Sequence, residues 1–186
     1  MARSSTTVYG FYPRKSLNGL EHPAQMDFLL GDSAEYTIGD AVYLGTDGAL
    51  DNCGVGSTYA PLGVLVGIVD KNGTNIFSPR ASGTTGATLT ADDTVTTSSS
   101  NVSTYKIKGQ VIVDPGGTML FYNDTNGSLS QTMVGSCFDM TSSGDRVDQG
   151  TTTDGTAVWQ LLEIDPDGDA DLSKGLFRMN ENQWFS

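Results

Sequence analysis

Four aspartates recur at every second position late in the sequence, within the stretch EIDPDGDADLSKG. They are Asp165, Asp167, Asp169 and Asp171. Carboxylates with this spacing occur in calcium loops, where ligands at positions 1, 3 and 5 precede a glycine at position 6 and a bidentate glutamate at position 12. Counted from Asp165, position 6 is Ala170 and position 12 is Leu176. The stretch therefore carries only half of the calcium motif.

The same stretch has the composition of a turn. Pro166 and Gly168 lie in the sequence DPDG, which favours a tight turn, and the flanking segments are strand-like rather than helical. We therefore predict a solvated hairpin loop and no metal site. Irregular oxygen cages can still hold calcium loosely, so the four aspartates are the candidate ligands if a cation binds.

Other catalytic arrangements are missing from the sequence. The only histidine is His22, and neither a GxSxG turn nor a glycine-rich phosphate loop occurs. A catalytic carboxylate pair needs surroundings that separate the two pKa values, and an exposed run of aspartates would leave them alike. Cys53 and Cys137 are far apart and lack metal-ligand spacing. The sequence predicts unpaired thiols, no cofactor and no enzymatic activity.

Composition limits the partners and the location. The chain has 186 residues and a net charge of -12, so one domain is expected, with a surface that repels nucleic acid and anionic membranes. No apolar run approaches the roughly 20 residues that cross a bilayer. The start of the chain lacks the apolar region of a secretory signal, which predicts synthesis and retention in the cytoplasm.

Strand patterns dominate residues 31–186, which we predict to be a single β domain. The run PLGVLVGIVD at residues 61–70 predicts a strand buried on both faces, with Gly63 and Gly67 marking a bulge or a close backbone approach. Residues 105–113 alternate between apolar and polar side chains, as half-buried strands do. The predicted fold is all-β, a sandwich or partly open barrel of short antiparallel strands.

Two regions lack this pattern. Residues 1–30 are predicted to form an extended N-terminal arm with its own partner, because the first fifteen residues contain basic side chains and no acid. Six residues of this arm are the candidate anchors: Arg3, Tyr9, Phe11, Tyr12, Arg14 and Lys15. Residues 82–104, rich in serine and threonine, are predicted to be a long surface loop or a weak edge strand.

The order of several stretches resembles small virion proteins of tailed phages. These stretches are STTVYGFYPRKSLNG, GDAVYL, PLGVLVGIVDKNGTNIFS, VIVDPGGTMLFYND and VWQLLEIDPDGDADLSKGLFRMNENQW. The family is similar in role to head-decoration, or cement, proteins that cover the capsid exterior. The resemblance implies a homotrimer on the major capsid protein lattice, an N-terminal arm that reaches across capsid subunits, a virion location and no catalysis.

A second function class remains open at this point. An all-β, turn-rich, acidic chain also suits a head-fibre or tail-adhesin domain that binds host surface glycans. Adhesins of that kind often carry repeats or aromatic side chains on loops, and this sequence has few loop aromatics.

Overall fold

The structure is a computed structural model that describes residues 11–17, 24–53, 61–76, 86–89, 94–114, 117–141, 146–150, 157–165 and 172–180. Within these ranges the chain forms fourteen strands, and the two short helical segments are a π-helical turn at Asn101–Tyr105 and a 3₁₀ turn at Gln131–Met133. The all-β prediction is therefore confirmed.

The strands are numbered along the chain. They are β1 (Tyr12–Ser16), β2 (Gln25–Leu29), β3 (Glu35–Thr37), β4 (Ala41–Leu44), β5 (Leu50–Asn52), β6 (Gly63–Val69), β7 (Ala87–Leu89), β8 (Thr94–Thr97), β9 (Lys108–Val113), β10 (Met119–Asp124), β11 (Cys137–Met140), β12 (Val147–Asp148), β13 (Trp159–Ile164) and β14 (Lys174–Met179).

These strands form three antiparallel sheets. The six-stranded sheet has the order β1-β10-β14-β13-β11-β12, the five-stranded sheet the order β2-β9-β6-β4-β5, and the three-stranded sheet the order β3-β8-β7. Many neighbours in these sheets are distant in sequence, because β1 pairs with β10 and β2 pairs with β9. The sandwich is thus held together by long-range strand pairs.

The five-stranded sheet is the middle layer, because adjacent residues of its strands enter different parts of the core. Val64 and Ile112 pack in the first core cluster, which includes the aromatic side chains of the six-stranded sheet. Leu65 and Val111 pack in the second core cluster, on the opposite face, with side chains of β3 and β8. The prediction that residues 61–70 contain a strand buried on both faces is confirmed.

Both glycines singled out in β6 have the roles that were predicted. Leu65 pairs with Val111 and Gly67 with Gln110, so one extra residue of β6 forms a bulge. At Gly63, a Cβ atom would overlap the carbonyl oxygen of Ile112 on the neighbouring strand. The close contact between β6 and β9 therefore requires a residue without a side chain at this position.

The middle sheet curls without closing into a barrel among the described residues. A single parallel bridge joins Leu30, which follows β2, to Leu50 at the start of β5. The Gly31 amide donates to the Leu50 carbonyl at 3.0 Å. The buried Tyr36 hydroxyl accepts from the Gly31 amide at 2.8 Å and donates to the Leu50 carbonyl at 2.5 Å. These bonds bring the two edges of the sheet together around the second core cluster.

The N-terminal region differs from the predicted arm. Residues 12–16 form β1 and residues 25–29 form β2, so two segments expected outside the β domain are edge strands of its sheets. The physical reason is clearest at Phe11, which is 1% exposed and packs in the first core cluster. Residues 1–10 and 18–23 lie outside the described residues.

The serine- and threonine-rich region also contributes to the core. Residues 87–89 and 94–97 form β7 and β8 of the three-stranded sheet, and Val95 is fully buried. The side chain of buried Asn101 donates to the Leu30 carbonyl at 2.6 Å and accepts from the Ile107 amide at 2.9 Å. This amide therefore ties the turn before β9 to the end of β2.

Candidate interaction surface

The acidic stretch joins two adjacent strands, β13 and β14, so the hairpin prediction is confirmed. Asp165 begins the connection with a positive φ of 47°, and its amide donates to the Lys174 carbonyl at 2.9 Å. Asp167, Asp169 and Asp171 lie outside the described residues. In the part of the chain that the structure does describe, no group of three or more metal-ligating side chains comes together.

A calcium titration tests the loop prediction directly. We expect the native chain to show no micromolar binding heat in isothermal titration calorimetry, because the twelfth-position ligand is absent. Changing all four aspartates of the stretch to asparagine should alter the free energy of unfolding by only tenths of a kcal/mol, because the sequence predicts a solvated loop, in which charges interact weakly. A micromolar signal that disappears in the variant would show that the loop is a calcium site.

One buried carboxylate that could suggest a reactive centre, that of Asp114, instead bonds to the turn that follows it. Asp114 is 3% exposed. Its carboxylate accepts from the Thr118 amide at 3.0 Å, the Thr118 hydroxyl at 2.9 Å and the Met119 amide at 2.8 Å. These bonds fix the turn between β9 and β10, so Asp114 has a structural role.

The two thiols are also placed for packing. Cys53 and Cys137 are both buried, and they form no disulfide bond with each other, as predicted. Burial, together with the smaller effect of the Asp40 charge, raises the pKa of the Cys53 thiol to about 12. Since the thiolate is the reactive form, Cys53 is not a nucleophile near neutral pH.

The predicted anchor residues have different environments. Arg3 and Tyr9 lie outside the described residues, and Tyr12 and Lys15 belong to β1. Phe11 is in the core and cannot contact a partner without unfolding part of the domain. Arg14, in contrast, is exposed at the surface.

The Arg14 side chain contacts Tyr122, a residue that the sequence did not indicate. Its guanidinium carbon lies 5.0 Å from the centroid of the Tyr122 ring, within the range of a cation–π contact. Tyr12 pairs with Tyr122, Pro13 with Phe121 and Lys15 with Leu120, so Arg14 occupies a bulge between the last two pairs. No local sequence signal joins Arg14 to a strand that follows it by so many residues.

We call residues 13–17 the basic edge. This segment consists of the last four residues of β1, the outer strand of the six-stranded sheet, and of Leu17 after it, whose side chain is 56% exposed. It includes Arg14 and Lys15. Pro13 and the bulge at Arg14 both disfavour the addition of another strand at a sheet edge. A partner of the basic edge would therefore meet side chains rather than a continuous row of backbone hydrogen bonds.

The chain matches nothing in comparisons with protein-family models, with curated proteins and with solved structures. None of the described segments forms a helix with the length and hydropathy of a membrane span.

Proposed function

We propose that this chain is a phage virion structural protein that decorates and stabilises the capsid exterior by binding the major capsid protein lattice as a homotrimer. The observation that carries the proposal is the basic edge, a cationic and partly apolar strip on a chain with a net charge of -12. Localised positive charge on an acidic protein favours one orientation toward an acidic partner and raises the rate of association.

One side chain of the basic edge, that of Arg14, already has a contact within the domain before it binds. Arg14 contacts the Tyr122 ring, and Tyr122 is only 4% exposed. Ordering a long side chain at an interface costs about 0.5–1.5 kcal/mol, and a side chain already held in place loses less freedom on binding. This arrangement supports a function in durable contact with a large surface.

A lattice increases the strength of such contacts. Copies joined in an oligomer bind neighbouring capsid subunits together, so the second contact forms at a high effective concentration. A modest interface for each copy can then give stable decoration. The layered sheets and the two core clusters provide a stiff support for this role.

The glycan-binding alternative receives less support from the described surface. The large apolar side chains that are exposed there are Leu17, Met26, Leu44 and Leu172, and none of them is aromatic. The described aromatic side chains of the first core cluster are buried. A head-fibre or tail adhesin that recognises sugars through exposed rings would need those rings on other parts of the chain.

Co-sedimentation with empty capsids tests the proposal. The capsids are assembled from the major capsid protein of the phage that encodes this chain, and the variant combines Arg14→Glu with Leu17→Ser. We expect binding to weaken at least about tenfold, because both side chains leave the proposed contact. Binding of the native chain should also weaken as salt is raised, since the attraction is electrostatic.

The matched control is Lys71→Glu. This variant changes the net charge by the same amount, and Lys71 is an exposed residue in the hairpin turn after β6. We expect it to bind capsids like the native chain. Full occupancy by the Arg14→Glu, Leu17→Ser variant would contradict a capsid contact at the basic edge, and a native chain that never co-sediments would contradict the proposed function.

A further inference from the structure

Three apolar side chains are buried on the face of the six-stranded sheet that points away from the middle layer. Phe121 and Phe177 pack in the first core cluster, and successive side chains of a strand point to opposite faces. Their neighbours Leu120, Tyr122 and Leu176 therefore lie on the other face, which we call the outer face. All three are at most 4% exposed, although neither core cluster of the described residues includes them. The outer face thus has a buried apolar floor of its own.

Two arginines lie on the outer face, on the strands that flank β10. The guanidinium carbon of Arg14 lies 5.0 Å from the centroid of the Tyr122 ring, which places this group on the outer face. On β14, Arg178 lies between the core residues Phe177 and Met179, so its side chain points to the outer face. Since β1 and β14 both pair with β10, their backbones are about 10 Å apart, twice the spacing of adjacent strands. One bound segment that crosses β10 can therefore contact both guanidinium groups.

Both arginines have contacts within the domain that orient them. The Nε of Arg178 donates to Oε1 of Gln160 at 2.7 Å, and these two residues are paired across β13 and β14. A guanidinium is planar and its fork of N–H groups matches the two oxygens of a carboxylate. A side chain that is already oriented loses less freedom when it binds. The buried floor also keeps water from one side of the cations, which strengthens their attraction to an anion.

We infer that the outer face binds an acidic polypeptide segment, with Arg14 and Arg178 each contacting a carboxylate of that segment. The inference rests on the proposed function and names the chemistry of the capsid surface that this protein would recognise. It extends the proposed contact from the basic edge across β10 to β14, and Arg14 belongs to both surfaces. The charges of the two arginines are complementary to such a segment.

Acidic neighbours on the outer face favour a polypeptide over nucleic acid. Glu163 is exposed and pairs with Leu176, so it lies on the outer face beside β14. Lys174 lies on the same face but opposite Asp124 in the strand register, so its positive charge has an acidic neighbour. Positive charge on the described part of this face is therefore concentrated at the two arginines. A chain of net charge -12 repels the dense row of phosphates in nucleic acid, whereas a few spaced carboxylates match two cations.

The first test measures binding of a fluorescently labelled oligo-glutamate peptide to the full chain by anisotropy at physiological salt. We expect Arg178→Gln to raise the dissociation constant at least about threefold, because it removes the charge and the fork that hold a carboxylate. Arg14→Gln should have a similar effect. The matched control, Lys71→Gln, removes the same charge from the exposed turn after β6 and should bind the peptide like the native chain.

Two further variants test the arrangement while keeping both arginines. Gln160→Ala removes the acceptor of the Arg178 Nε and leaves the net charge unchanged, so we expect weaker binding through lost positioning. Glu163→Gln removes an acid from the outer face and should lower the dissociation constant, because its repulsion of the peptide is lost. A damaged fold would not bind more tightly, so this gain of affinity separates a binding role from a structural one.

The native chain also reports the contact without any substitution. In a nitrogen–proton correlation spectrum, the Nε–H signals of Arg14 and Arg178 should shift as the oligo-glutamate peptide is added. The backbone amide signal of Lys71 should stay in place, since it lies in a turn outside the six-stranded sheet.

Three results would overturn the inference. They are a native chain that does not bind the peptide, an affinity that the two arginine variants and Lys71→Gln change equally, and tighter binding of a single-stranded oligonucleotide of equal charge. None of these measurements contains capsids, so they succeed or fail separately from co-sedimentation. A chain that binds the peptide through both arginines but ignores capsids would keep the acidic-segment site and contradict the proposed function.

Discussion

Replacing Phe11 by alanine is expected to lower the free energy of unfolding by about 3–5 kcal/mol, the usual cost of removing a buried aromatic side chain. The Phe11 ring stacks on Trp159 with centroids 3.8 Å apart and an interplanar angle of 18°. It also meets Phe121 and Phe177 edge-on, at 6.4 and 6.5 Å between centroids. Its loss would leave a cavity among three large rings. Equilibrium unfolding in urea measures the change.

Leu17→Ala is the matched control for Phe11→Ala. Both changes remove a large apolar side chain from the same region of the chain, but Leu17 is 56% exposed. The control should alter the free energy of unfolding by less than about 0.5 kcal/mol. If Phe11→Ala were equally mild, Phe11 would not be part of the core. The comparison matters for deletion experiments, because removing residues 2–15 would take out Phe11 and most of β1 and would not test an arm alone.

Gly63→Ala is expected to cost about 3 kcal/mol or more, at the upper end of the range for inserting a methyl group into a packed core. The added Cβ would overlap the Ile112 carbonyl oxygen and lie 2.7 Å from Cγ1 of Val111. Neither atom is the end of a flexible side chain, and both belong to the central strand β9. Relieving this overlap therefore requires β6 and β9 to move apart in the middle layer. A lower midpoint of thermal unfolding measures the effect.

Gly150→Ala provides the control for Gly63→Ala. Gly150 is exposed, and the nearest atom to an added Cβ there is Oδ1 of Asp148, at an ordinary contact distance of 3.4 Å. We expect the melting temperature of this variant to stay close to that of the native chain. Equal melting temperatures for both alanine variants would show that β6 and β9 are not in close contact at Gly63.

Strands with strong local patterns were predictable from the sequence. The apolar run at residues 61–70 contains β6, and the alternation at residues 105–113 contains β9. Both are central strands of the middle sheet, so the order of apolar residues along them reflects which side chains are buried. The two glycines of β6 could be identified for the same reason, because a glycine inside an apolar strand requires a local cause.

Edge strands were not predictable in this way. β1 reads YPRKS, which does not alternate. β2 reads QMDFL, in which the alternation spans only four residues and Met26 is 52% exposed, because an edge strand buries little of its surface. Their positions depend on partners in β10 and β9, which follow much later in the sequence. The three-stranded sheet was predicted only in part, since residues 82–104 were expected to form a long surface loop or a weak edge strand. The reason is related, because the buried side chains among its described strand residues are Tyr36, Val95 and Thr97.

The candidate surface was predictable only in part. The basic composition of the first fifteen residues indicated Arg14 without any structural information. Its contact with Tyr122 and the exposure of Leu17 required the pairing of β1 with β10. The burial of Phe11 also depended on distant residues, because Trp159 and Phe177 enclose its ring. Contacts between residues far apart in the sequence therefore determine which aromatic side chains of the N-terminal region are available to a partner.

The stack of Phe11 on Trp159 has a consequence for synthesis on the ribosome. Phe11 emerges early, while Trp159 and Phe177 are added near the end of the sequence, so the first core cluster cannot be completed until most of the chain has been translated. Folds dominated by such non-local contacts fold slowly. For most of its synthesis the nascent chain therefore exposes apolar side chains, and a chaperone that shields Phe11 during this interval should raise the yield of folded protein.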